Sequence, residues 1–445
     1  MDDPNSAAPA ARPILQMNRF DVTAADTPVA VQRRHQNAGS ATVLFYREPI
    51  ELASADKAWL TATDGSRYLD MYNNVPAVGH SHPEVVAAVT AQMSVQNTHS
   101  RYITGMVDGY MEALKATFPP ALANVVMTCS GSEANDLALR IAGSVSGNRG
   151  IIVTENAYHG NTALVTDASP ASWPAGYRPD YVATVPAPTR AAYGDDVAGG
   201  FTQSVREAIA TLKARGHGVS ALLFDTIFSS DGVLSHPAGF VEGGIAAVRA
   251  EGGLYIADEV QPGFGRLGES FWGFARHGVE PDIVTMGKPM GNGFPVAGLV
   301  TRPDFLSAYC DRFGYFNTFG ASPAAAAAAG ATLQVLQRDR MQDNALVVGA
   351  RIREGLEEIA AADPRCGEVR GIGMFAAIDF CQPGKPLRPD PDLARHVVNA
   401  LREAKVLAGV TGKFGATLRV RPPLCLTADE ADLFLAALRA VLNPA

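Results

Sequence analysis

The sequence predicts an α/β fold, with a large domain on a mostly parallel central sheet and a smaller, discontinuous α+β domain. Three observations support this prediction. Beyond residue 125, short apolar runs alternate with helical patterns, as in the strand-loop-helix units of parallel sheets. Several runs end on polar residues, and parallel sheets gather binding groups at the carboxyl ends of their strands. The chain has 445 residues and 47% hydrophobic content, enough for two unequal domains with a large core.

Each element of the large domain follows from this alternation. The candidate strands are residues 125–129, 150–154, 221–225, 253–257, 282–286 and 296–301. The candidate helices between them are residues 133–143, 200–215, 237–251 and 304–310. The alanine-rich run 324–338 predicts a helix that leads out of this domain.

The two ends of the chain predict the smaller domain. Residues 59–62 and 67–70 flank Asp64-Gly65, a turn signal typical of a hairpin, and residues 45–52 form a further strand-like run. We expect this hairpin to pack with strands of a second sheet, predicted at 369–379 and 416–421. The predicted division is a leader at 1–17, the small domain at 18–72 and 324–445, and the large domain at 73–323.

Composition and charge exclude several classes of partner. The formal net charge is −8 and the pI is about 5.6, without basic runs, so neither nucleic acid nor an anionic membrane is an expected partner. No stretch approaches the ~20 apolar residues that a membrane span needs. The first 17 residues are rich in Ala, Pro and Asp and lack an apolar core, so we expect a flexible leader and not a signal peptide.

The cysteines and histidines indicate packing and not metal binding. His80 and His82 have a spacing compatible with metal ligation, but no suitable third ligand follows, so we expect a structural or pocket-lining role. Five widely spread cysteines form no C-x-x-C pair, which favours a reducing cytoplasm; they are Cys129, Cys310, Cys366, Cys381 and Cys425.

An acid and a lysine stand at the ends of two candidate strands. Asp258 ends the apolar run 254–257, and Lys288 follows the run 282–286, so both side chains would face one crevice. A buried lysine beside a fixed carboxylate can bind a cofactor carbonyl as a Schiff base, while the acid keeps a ring nitrogen protonated. That chemistry belongs to pyridoxal phosphate. An ordinary half-exposed ion pair is the alternative that this spacing alone leaves open.

Two further segments predict a binding site for a phosphorylated ring. Ser130-Gly131-Ser132 follows a candidate strand and opens a helix, where small residues and free N–H groups attract phosphate. A simple helix cap is the alternative. Tyr158 follows the next strand, where its ring could lie flat on a heteroaromatic ligand or pack half-buried.

Together these segments resemble the class III (ornithine-type, subgroup II) aminotransferases of the fold-type-I pyridoxal phosphate enzymes. The resemblance runs from about Phe45 to Leu438. The motifs that carry it are Tyr68-Leu69-Asp70, Val78-Gly79-His80 with His82-Pro83, Ser130-Gly131-Ser132-Glu133-Ala134-Asn135, Tyr158-His159-Gly160, Ile256-Ala257-Asp258-Glu259-Val260-Gln261, Gly263-Phe264-Gly265-Arg266, Gly287-Lys288, Phe316-Asn317-Thr318-Phe319-Gly320 and Leu418-Arg419-Val420-Arg421-Pro422-Pro423-Leu424.

The resemblance implies an aminotransferase with pyridoxal 5'-phosphate as its cofactor, and it implies roles for matching residues. Lys288 would form the Schiff base and then move a proton during the transfer. Asp258 would keep the pyridine nitrogen protonated, which makes the ring an electron sink. Gln261 would hydrogen-bond the phenolic oxygen of the ring, and Tyr158 would stack on it.

The resemblance also implies a homodimer with shared active sites. Gly131 and Ser132 would hold the cofactor phosphate, which Thr318 of the partner subunit would reach. Arg419 would bind the substrate carboxylate, because the planar guanidinium matches two oxygens. A surface arginine at a strand end is the alternative for Arg419.

One segment departs from the family pattern. Where most members have Glu-Pro-Val/Ile-Gln-Gly, this chain has Asp225-Thr226-Ile227-Phe228-Ser229-Ser230-Asp231-Gly232. Ser230 stands where ω-amino acid members carry a glutamate that pairs with the carboxylate-binding arginine. Its absence would leave Arg419 free, which favours an α-amino acid donor and a 2-oxo acid acceptor over a terminal amine.

The loops around Asn74 and Arg101 look most similar to the branch that holds alanine–glyoxylate aminotransferase 2 and the phosphoethanolamine phospholyases. Both residues are therefore candidates for substrate binding, but the simpler interpretation of Arg101 is a solvated arginine after a helix. A lyase that eliminates ammonia or phosphate from a substituted amine is the alternative function, because both reactions use the same cofactor.

Two other classes are disfavoured. A cofactor-binding protein without turnover does not need Lys288, Asp258 and Arg419 together. An NAD-dependent dehydrogenase needs a G-x-G-x-x-G motif after the first strand, followed by an acid, and the sequence has no such arrangement.

Overall fold

The computed structural model describes residues 17–19, 28–235 and 237–443, apart from the side chains of residues 386 and 387. Residues 1–16 of the predicted leader lie outside this description. No helix among the described residues is long and apolar enough to cross a membrane.

The described residues form sixteen strands and thirteen α-helices in an α/β order. The strands are β1 Leu52–Asp56, β2 Trp59–Ala62, β3 Arg67–Asp70, β4 Asn124–Thr128, β5 Ile151–Thr154, β6 Val182–Val185, β7 Ala221–Asp225, β8 Leu254–Asp258, β9 Ile283–Met286, β10 Ala297–Thr301, β11 Cys366–Ile372, β12 Phe375–Gln382, β13 Lys385–Pro389, β14 Val406–Leu407, β15 Gly409–Thr411 and β16 Thr417–Val420. The helices are α1 Val29–Ala38, α2 Pro83–Val95, α3 Gly105–Lys115, α4 Gly131–Ser146, α5 Ala163–Asp167, α6 Arg190–Tyr193, α7 Val197–Ala214, α8 Glu242–Ala250, α9 Pro303–Phe313, α10 Pro323–Arg338, α11 Met341–Ala362, α12 Pro391–Glu403 and α13 Ala428–Leu442.

A seven-stranded sheet forms the centre of the molecule, in the order β4-β10-β9-β8-β7-β5-β6. Neighbouring strands from β9 to β6 pair in parallel, whereas β10 runs antiparallel to both β4 and β9. The sheet is therefore mostly parallel, which confirms the predicted fold class. The carboxyl ends of β7, β8 and β9 lie at the same edge, because these strands share one direction.

Burial on both faces explains why these strands appear as continuous apolar runs. Every residue of β5, β8, β9 and β10 is buried. Leu137 and Ile141 of α4 pack in the same apolar cluster as Val153 of β5 and Ile256 of β8. A parallel sheet covered by helices on both sides cannot alternate polar and apolar residues, so length and turn residues mark its strands instead.

Two smaller sheets involve both ends of the described chain. The first has the order β1-β2-β3-β14, and β3 pairs in parallel with β14. The predicted hairpin therefore contacts the C-terminal part of the chain. The second sheet has the order β11-β12-β16-β15, and β13 pairs with β12. The predicted domain boundaries at residues 17, 72 and 323 stay predictions.

Three predicted elements were wrong in detail. The single strand predicted at 369–379 is the antiparallel pair β11 and β12, which turns at Gly373 with φ 54°. The strand-like run 45–52 is not a strand, since β1 begins at Leu52 and Tyr46 has φ 69°. The helix predicted at 237–251 begins at Glu242, and β6 was not predicted at all.

Candidate active site

A cavity of about 320 Å³ lies at the carboxyl edge of the central sheet. Strand ends and the following loops build most of it, as expected where parallel strands end. Six residues with predicted cofactor contacts line this cavity: Gly131, Ser132, Tyr158, Asp258, Gln261 and Lys288. They are separated in sequence but brought together by the order of β4, β5, β8 and β9.

Three donors hold the carboxylate of Asp258, the last residue of β8. Its Oδ2 accepts from Asn135 Nδ2 at 3.0 Å and lies 2.7 Å from His159 Nδ1, while its Oδ1 accepts from the backbone N–H of Val260 at 3.0 Å. The acid is only 4% exposed. Its orientation is therefore set before any ligand binds, and a ring nitrogen in the cavity would meet a fixed carboxylate.

Asn135 and His159 belong to the motifs that carry the family resemblance, but no role was predicted for either residue. Asn135 Oδ1 accepts from Thr285 Oγ1 at 2.6 Å, so the amide orientation is fixed and its Nδ2 is directed at Asp258. The backbone N–H of His159 donates to Ser169 Oγ at 2.9 Å. These polar partners orient the acid, and no sequence spacing identified them because they come from different parts of the fold.

Lys288 lies two residues beyond β9 and faces the cavity. Burial lowers the pKa of its ammonium group to about 8, and the positive charges of Arg421 and Arg419 add to this effect. Asp258 and Asp225 oppose the shift but do not cancel it. A substantial fraction of the lysine is therefore neutral near pH 8, and the neutral amine is the nucleophile that carbonyl chemistry requires.

The N-terminus of α4 forms a cradle of small residues. Ser130 caps this helix by accepting from the N–H of Glu133 at 3.2 Å. A Cβ at Gly131 would lie 2.9 Å from Val260 Cγ2, and one at Gly160 would lie 2.3 Å from Ser132 Oγ. Glycine is thus required by close packing, which leaves the first N–H groups of the helix facing the cavity. The cradle and the helix dipole fit the phosphate of the cofactor.

Gln261 stands in a chain of hydrogen bonds along the cavity wall. Its Nε2 donates to Ser229 Oγ at 2.7 Å, and Ser229 Oγ donates to the carboxylate of Asp225. Its Oε1 accepts from Arg421 Nη1. Burial and the neighbouring Asp258 raise the pKa of Asp225. Ser229 and Arg421 therefore already orient the amide of Gln261, which is predicted to contact the cofactor ring.

Two arginines at the end of β16 carry positive charge into the interior. Arg419 is 4% exposed and Arg421 is 6% exposed, and the Nε of each has no hydrogen-bond partner among the described residues. Arg419 contacts Thr411 Oγ1 at 3.5 Å and Tyr72 Oη at 3.3 Å. In the described part of the chain, neither guanidinium forms a salt bridge with a carboxylate. Buried charges of this kind need an anion, and a substrate could supply it.

Arg421 was not predicted to bind substrate, although the sequence contained a signal for it. Side chains two positions apart on a strand point to the same face, so Arg421 follows the direction of Arg419. Burial and the charge of Arg419 lower the pKa of Arg421 to about 10. Two like charges this close together, without a carboxylate partner among the described residues, favour the binding of an anion between them.

The other four predicted residues do not line this cavity: Arg419, Asn74, Arg101 and Thr318. Asn74 is 1% exposed, next to the lining residue Val75, and its Nδ2 has no partner among the described residues. Arg101 is exposed, with its guanidinium 3.9 Å from the ring centroid of Phe316. Thr318 is also exposed and does not line the cavity. The predicted contact of Thr318 with the cofactor phosphate of a partner subunit stays a prediction.

Comparison with known proteins agrees with this geometry. The family model described as class III aminotransferase matches residues 46–442. The alanine–glyoxylate aminotransferase 2-like protein of Drosophila melanogaster is 36% identical over 427 residues, which cover 93% of this chain and 86% of that protein. Ethanolamine-phosphate phospho-lyase homolog 1 of Caenorhabditis elegans is 32% identical over 434 residues, which cover 93% of each chain.

A solved structure is similar over nearly the same length. The phospholyase from Arthrobacter in complex with phosphoethanolamine is 40% identical, with a TM-score of 0.90, and the match covers 93% of this chain and 99% of that chain. The cavity, the fixed acid, the lysine and the glycine cradle all fit pyridoxal phosphate. The chain therefore belongs to the class III aminotransferases and is a pyridoxal-phosphate-dependent enzyme.

Proposed function

We propose that this enzyme moves an amino group from an α-amino acid donor to a 2-oxo acid acceptor. The observation that carries the proposal is the buried guanidinium of Arg419, which pairs with no carboxylate among the described residues. An α-carboxylate would supply the missing charge in both half-reactions. The bound cofactor supplies an electron sink for the electrons released when the substrate carbon loses a proton.

The roles of the protein residues follow from their positions. Lys288 would hold the cofactor and, once free, move a proton at the substrate carbon, since its lowered pKa near 8 lets the amine act as a base. Asp258 would face the ring nitrogen with an orientation set by Asn135 and His159. Gly131 and Ser132 would hold the phosphate at the N-terminus of α4.

The departure at Ser230 supports an α-amino acid donor. The backbone O of Ser229 accepts from Thr411 Oγ1 at 2.9 Å, and the same threonine contacts Arg419, so this loop lies beside the arginine. A carboxylate introduced by Ser230→Glu would compete for the guanidinium. We expect this variant to use α-amino acids less efficiently, with a raised KM; unchanged steady-state kinetics would contradict the assignment of this loop.

The active enzyme is proposed to be a homodimer. Apolar side chains around the exposed loop before α3 are uncovered: Ile103 is 96% exposed, Val95 is 80% exposed and Phe319 is 71% exposed. Apolar surface of this kind is typical of an interface. Thr318 lies in the same region, from which it would reach the phosphate site of the partner. We also propose a cytoplasmic location, supported by five free cysteines.

A lyase acting on a phosphorylated amine is the second candidate. It is favoured by the presence of two buried guanidiniums where one would serve a carboxylate, since a phosphate dianion would balance both charges. The similarity to the Arthrobacter phospholyase in complex with phosphoethanolamine points in the same direction. Elimination would release ammonia and phosphate, with the cofactor unchanged at the end of each turnover.

One experiment separates the two reactions. The purified holoenzyme is mixed with amino acids and with phosphorylated amino alcohols, without an acceptor, and the cofactor is identified by absorption and mass. Conversion of the cofactor to its amine form, with one oxo product per site, establishes transamination and identifies the donor. Release of ammonia or phosphate over many turnovers, with the cofactor unconverted, establishes the lyase and rejects the first proposal.

A further inference from the structure

The loop between α9 and α10 carries Thr318, and the side chain of Asn317 sets its conformation. Asn317 Oδ1 accepts from the backbone N–H of Phe319 at 3.1 Å and from that of Gly320 at 2.9 Å. A Cβ added at Gly320 would lie 2.3 Å from the backbone O of Met127, so this turn packs directly against β4. The exposed Thr318 is therefore presented on a turn whose backbone is held on both sides.

The other end of the Asn317 amide is bound to the start of α4. Its Nδ2 donates to Glu133 Oε2 at 2.9 Å. The same carboxylate oxygen accepts from the backbone N–H of Cys129 at 3.0 Å, and the N–H of Glu133 donates to the cap Ser130 at 3.2 Å. Cys129 and Ser130 lead directly into the phosphate cradle. One carboxylate oxygen thus joins the backbone of the cradle to the turn that carries Thr318.

The orientation of the Asn317 amide follows from the chemistry of its partners. A carboxylate only accepts hydrogen bonds and a backbone N–H only donates them, so Nδ2 faces Glu133 and Oδ1 faces the turn. A longer contact joins Nδ2 to Tyr315 Oη at 3.5 Å. The bond to the carboxylate is charge-assisted, and bonds of this kind are stronger than those between neutral groups. A displacement of either the cradle or the turn therefore breaks a strong hydrogen bond.

We propose that Asn317 and Glu133 couple the two cofactor sites of the homodimer, so that binding at one site raises the affinity of the other. A phosphate in the cradle fixes the start of α4 and, through Glu133 and Asn317, the turn that carries Thr318. That turn then serves the cradle of the partner subunit, which receives a donor already in place. Coupling between two binding sites is reciprocal, so each site supports the other equally. The inference rests on the proposed homodimer and on the predicted contact of Thr318 with the partner's cofactor phosphate.

Calorimetric titration of the apoprotein tests the coupling. The probe is pyridoxamine 5'-phosphate, which carries the same phosphate and forms no Schiff base with Lys288. Protein concentrations are chosen at which light scattering gives a dimer before and after the titration. We expect the second molecule to bind to wild type about fivefold more tightly than the first. Two sites of equal affinity in the wild-type dimer would overturn the inference.

Asn317→Asp breaks the link at one end only. The new carboxylate still accepts from the two N–H groups of the turn, but it repels Glu133 in place of donating to it. We expect both sites to bind more weakly than in wild type and with equal affinity. Gln203→Glu is the matched control, since Gln203 Nε2 donates to Glu207 at 2.9 Å on the exposed face of α7. That control should bind as wild type does, and cooperativity that persists in Asn317→Asp would reject the proposed link.

A second substitution separates loss of the link from general damage to the loop. Glu133→Gln combined with Asn317→Asp exchanges donor and acceptor, because the amide of the new glutamine donates to the new carboxylate. We expect cooperative binding to return in this double variant. A double variant that binds no more cooperatively than Asn317→Asp alone would show that this pair does not carry the coupling.

Thr318→Val distinguishes failure of this inference from failure of the proposals beneath it. A monomeric holoenzyme in light scattering rejects the homodimer and the coupling together. A dimer in which Thr318→Val leaves the affinity unchanged rejects the contact with the partner subunit, and the coupling with it, while amino transfer stands. If Thr318→Val weakens binding but the two wild-type sites are independent, the homodimer and the contact stand and only the coupling is rejected.

Discussion

At the scale of single residues, burial decides the chemistry of Lys288. Its pKa of about 8 results from burial first and from Arg421 second. Because the neutral amine reacts with the cofactor, uptake of pyridoxal phosphate by the apoprotein should accelerate about tenfold per pH unit below pH 8 and level off above it. Stopped-flow absorbance measures this rate.

Removing one positive charge should shift this pH profile. In Arg421→Met the repulsion from the guanidinium is lost, so the pKa of Lys288 rises and the midpoint of the uptake profile moves to higher pH. The exposed Arg353, which pairs with Glu357 on α11, provides the control Arg353→Met, and its profile should match that of wild type. A midpoint that stays in place or moves down in Arg421→Met would refute the assigned cause.

A second residue-scale effect concerns Asp231. Burial raises its pKa to about 7, although its carboxylate accepts from Thr154 Oγ1 at 2.7 Å and from the N–H of Asn156 at 3.2 Å. A carboxyl with a raised pKa in the folded state makes the protein lose stability as the pH rises from about 4 to 7. Between pH 5 and pH 8 the loss should be about 3 kcal/mol.

Asp231→Asn should remove this loss, because the amide does not ionise. Urea unfolding of both apoproteins at pH 5 and pH 8 measures it, and the difference between the two proteins isolates Asp231 from other titrating groups. An equal pH dependence in the variant and in wild type would show that Asp231 ionises normally in the folded protein.

At the scale of elements, the cradle at the start of α4 depends on the absence of side chains. A methyl group in Gly131→Ala would lie 2.9 Å from Val260 Cγ2, so either the loop or the helix terminus must shift. We expect the dissociation constant for pyridoxal phosphate to rise roughly tenfold, since the N–H groups lose their alignment. Fluorescence titration of the apoprotein measures the constant.

Gly143 in the same helix supplies the matched control. A Cβ there would meet its nearest atom, the backbone O of Asn148, at 3.4 Å, which is close to ordinary contact. Gly143→Ala should leave cofactor affinity unchanged and, by favouring the helix, should not lower stability. If both variants lost affinity for the cofactor, the cause would be the replacement of any glycine in α4, and not the close packing at Gly131.

Other element-scale differences show where local pattern was insufficient. Six of the seven strands of the central sheet were predicted to within a few residues, because each is a short apolar run between loops, whereas β6 was not predicted. The run 369–379 contained two strands, and the turn at Gly373 was hidden between apolar residues on both sides. In the folded chain β12 pairs with β11 on one side and with β16 on the other. Such pairing partners are not visible in a local sequence pattern.

At the scale of the whole molecule, the exposed apolar surface near Ile103 should mediate dimer formation. A charge placed there by Ile103→Asp would be buried on association at high cost, so we expect a monomer in light scattering. Cofactor affinity should fall as well, because Thr318 of the partner subunit would no longer reach the phosphate. Val347 on α11 is 69% exposed elsewhere, and Val347→Asp should leave the oligomeric state unchanged. A dimeric Ile103→Asp would show that another surface mediates association.

The sequence by itself determined the fold class, the strand ends that carry Asp258 and Lys288, and the small residues of the phosphate cradle. Those features depend on local order along the chain: apolar runs, the residue that ends each run, and the residues that start a helix. Because neighbouring parallel strands share one direction, their carboxyl ends lie at the same edge of the sheet.

Only the tertiary structure decided which side chains act on these groups. Asn135 reaches Asp258 across 123 positions, Arg421 reaches Gln261 across 160, and Arg419 reaches Tyr72 across 347. The lowered pKa of Lys288 likewise depends on burial and on charges from distant segments. These hydrogen bonds and electrostatic effects depend on distances in space, which cannot be read from the spacing of residues along the chain.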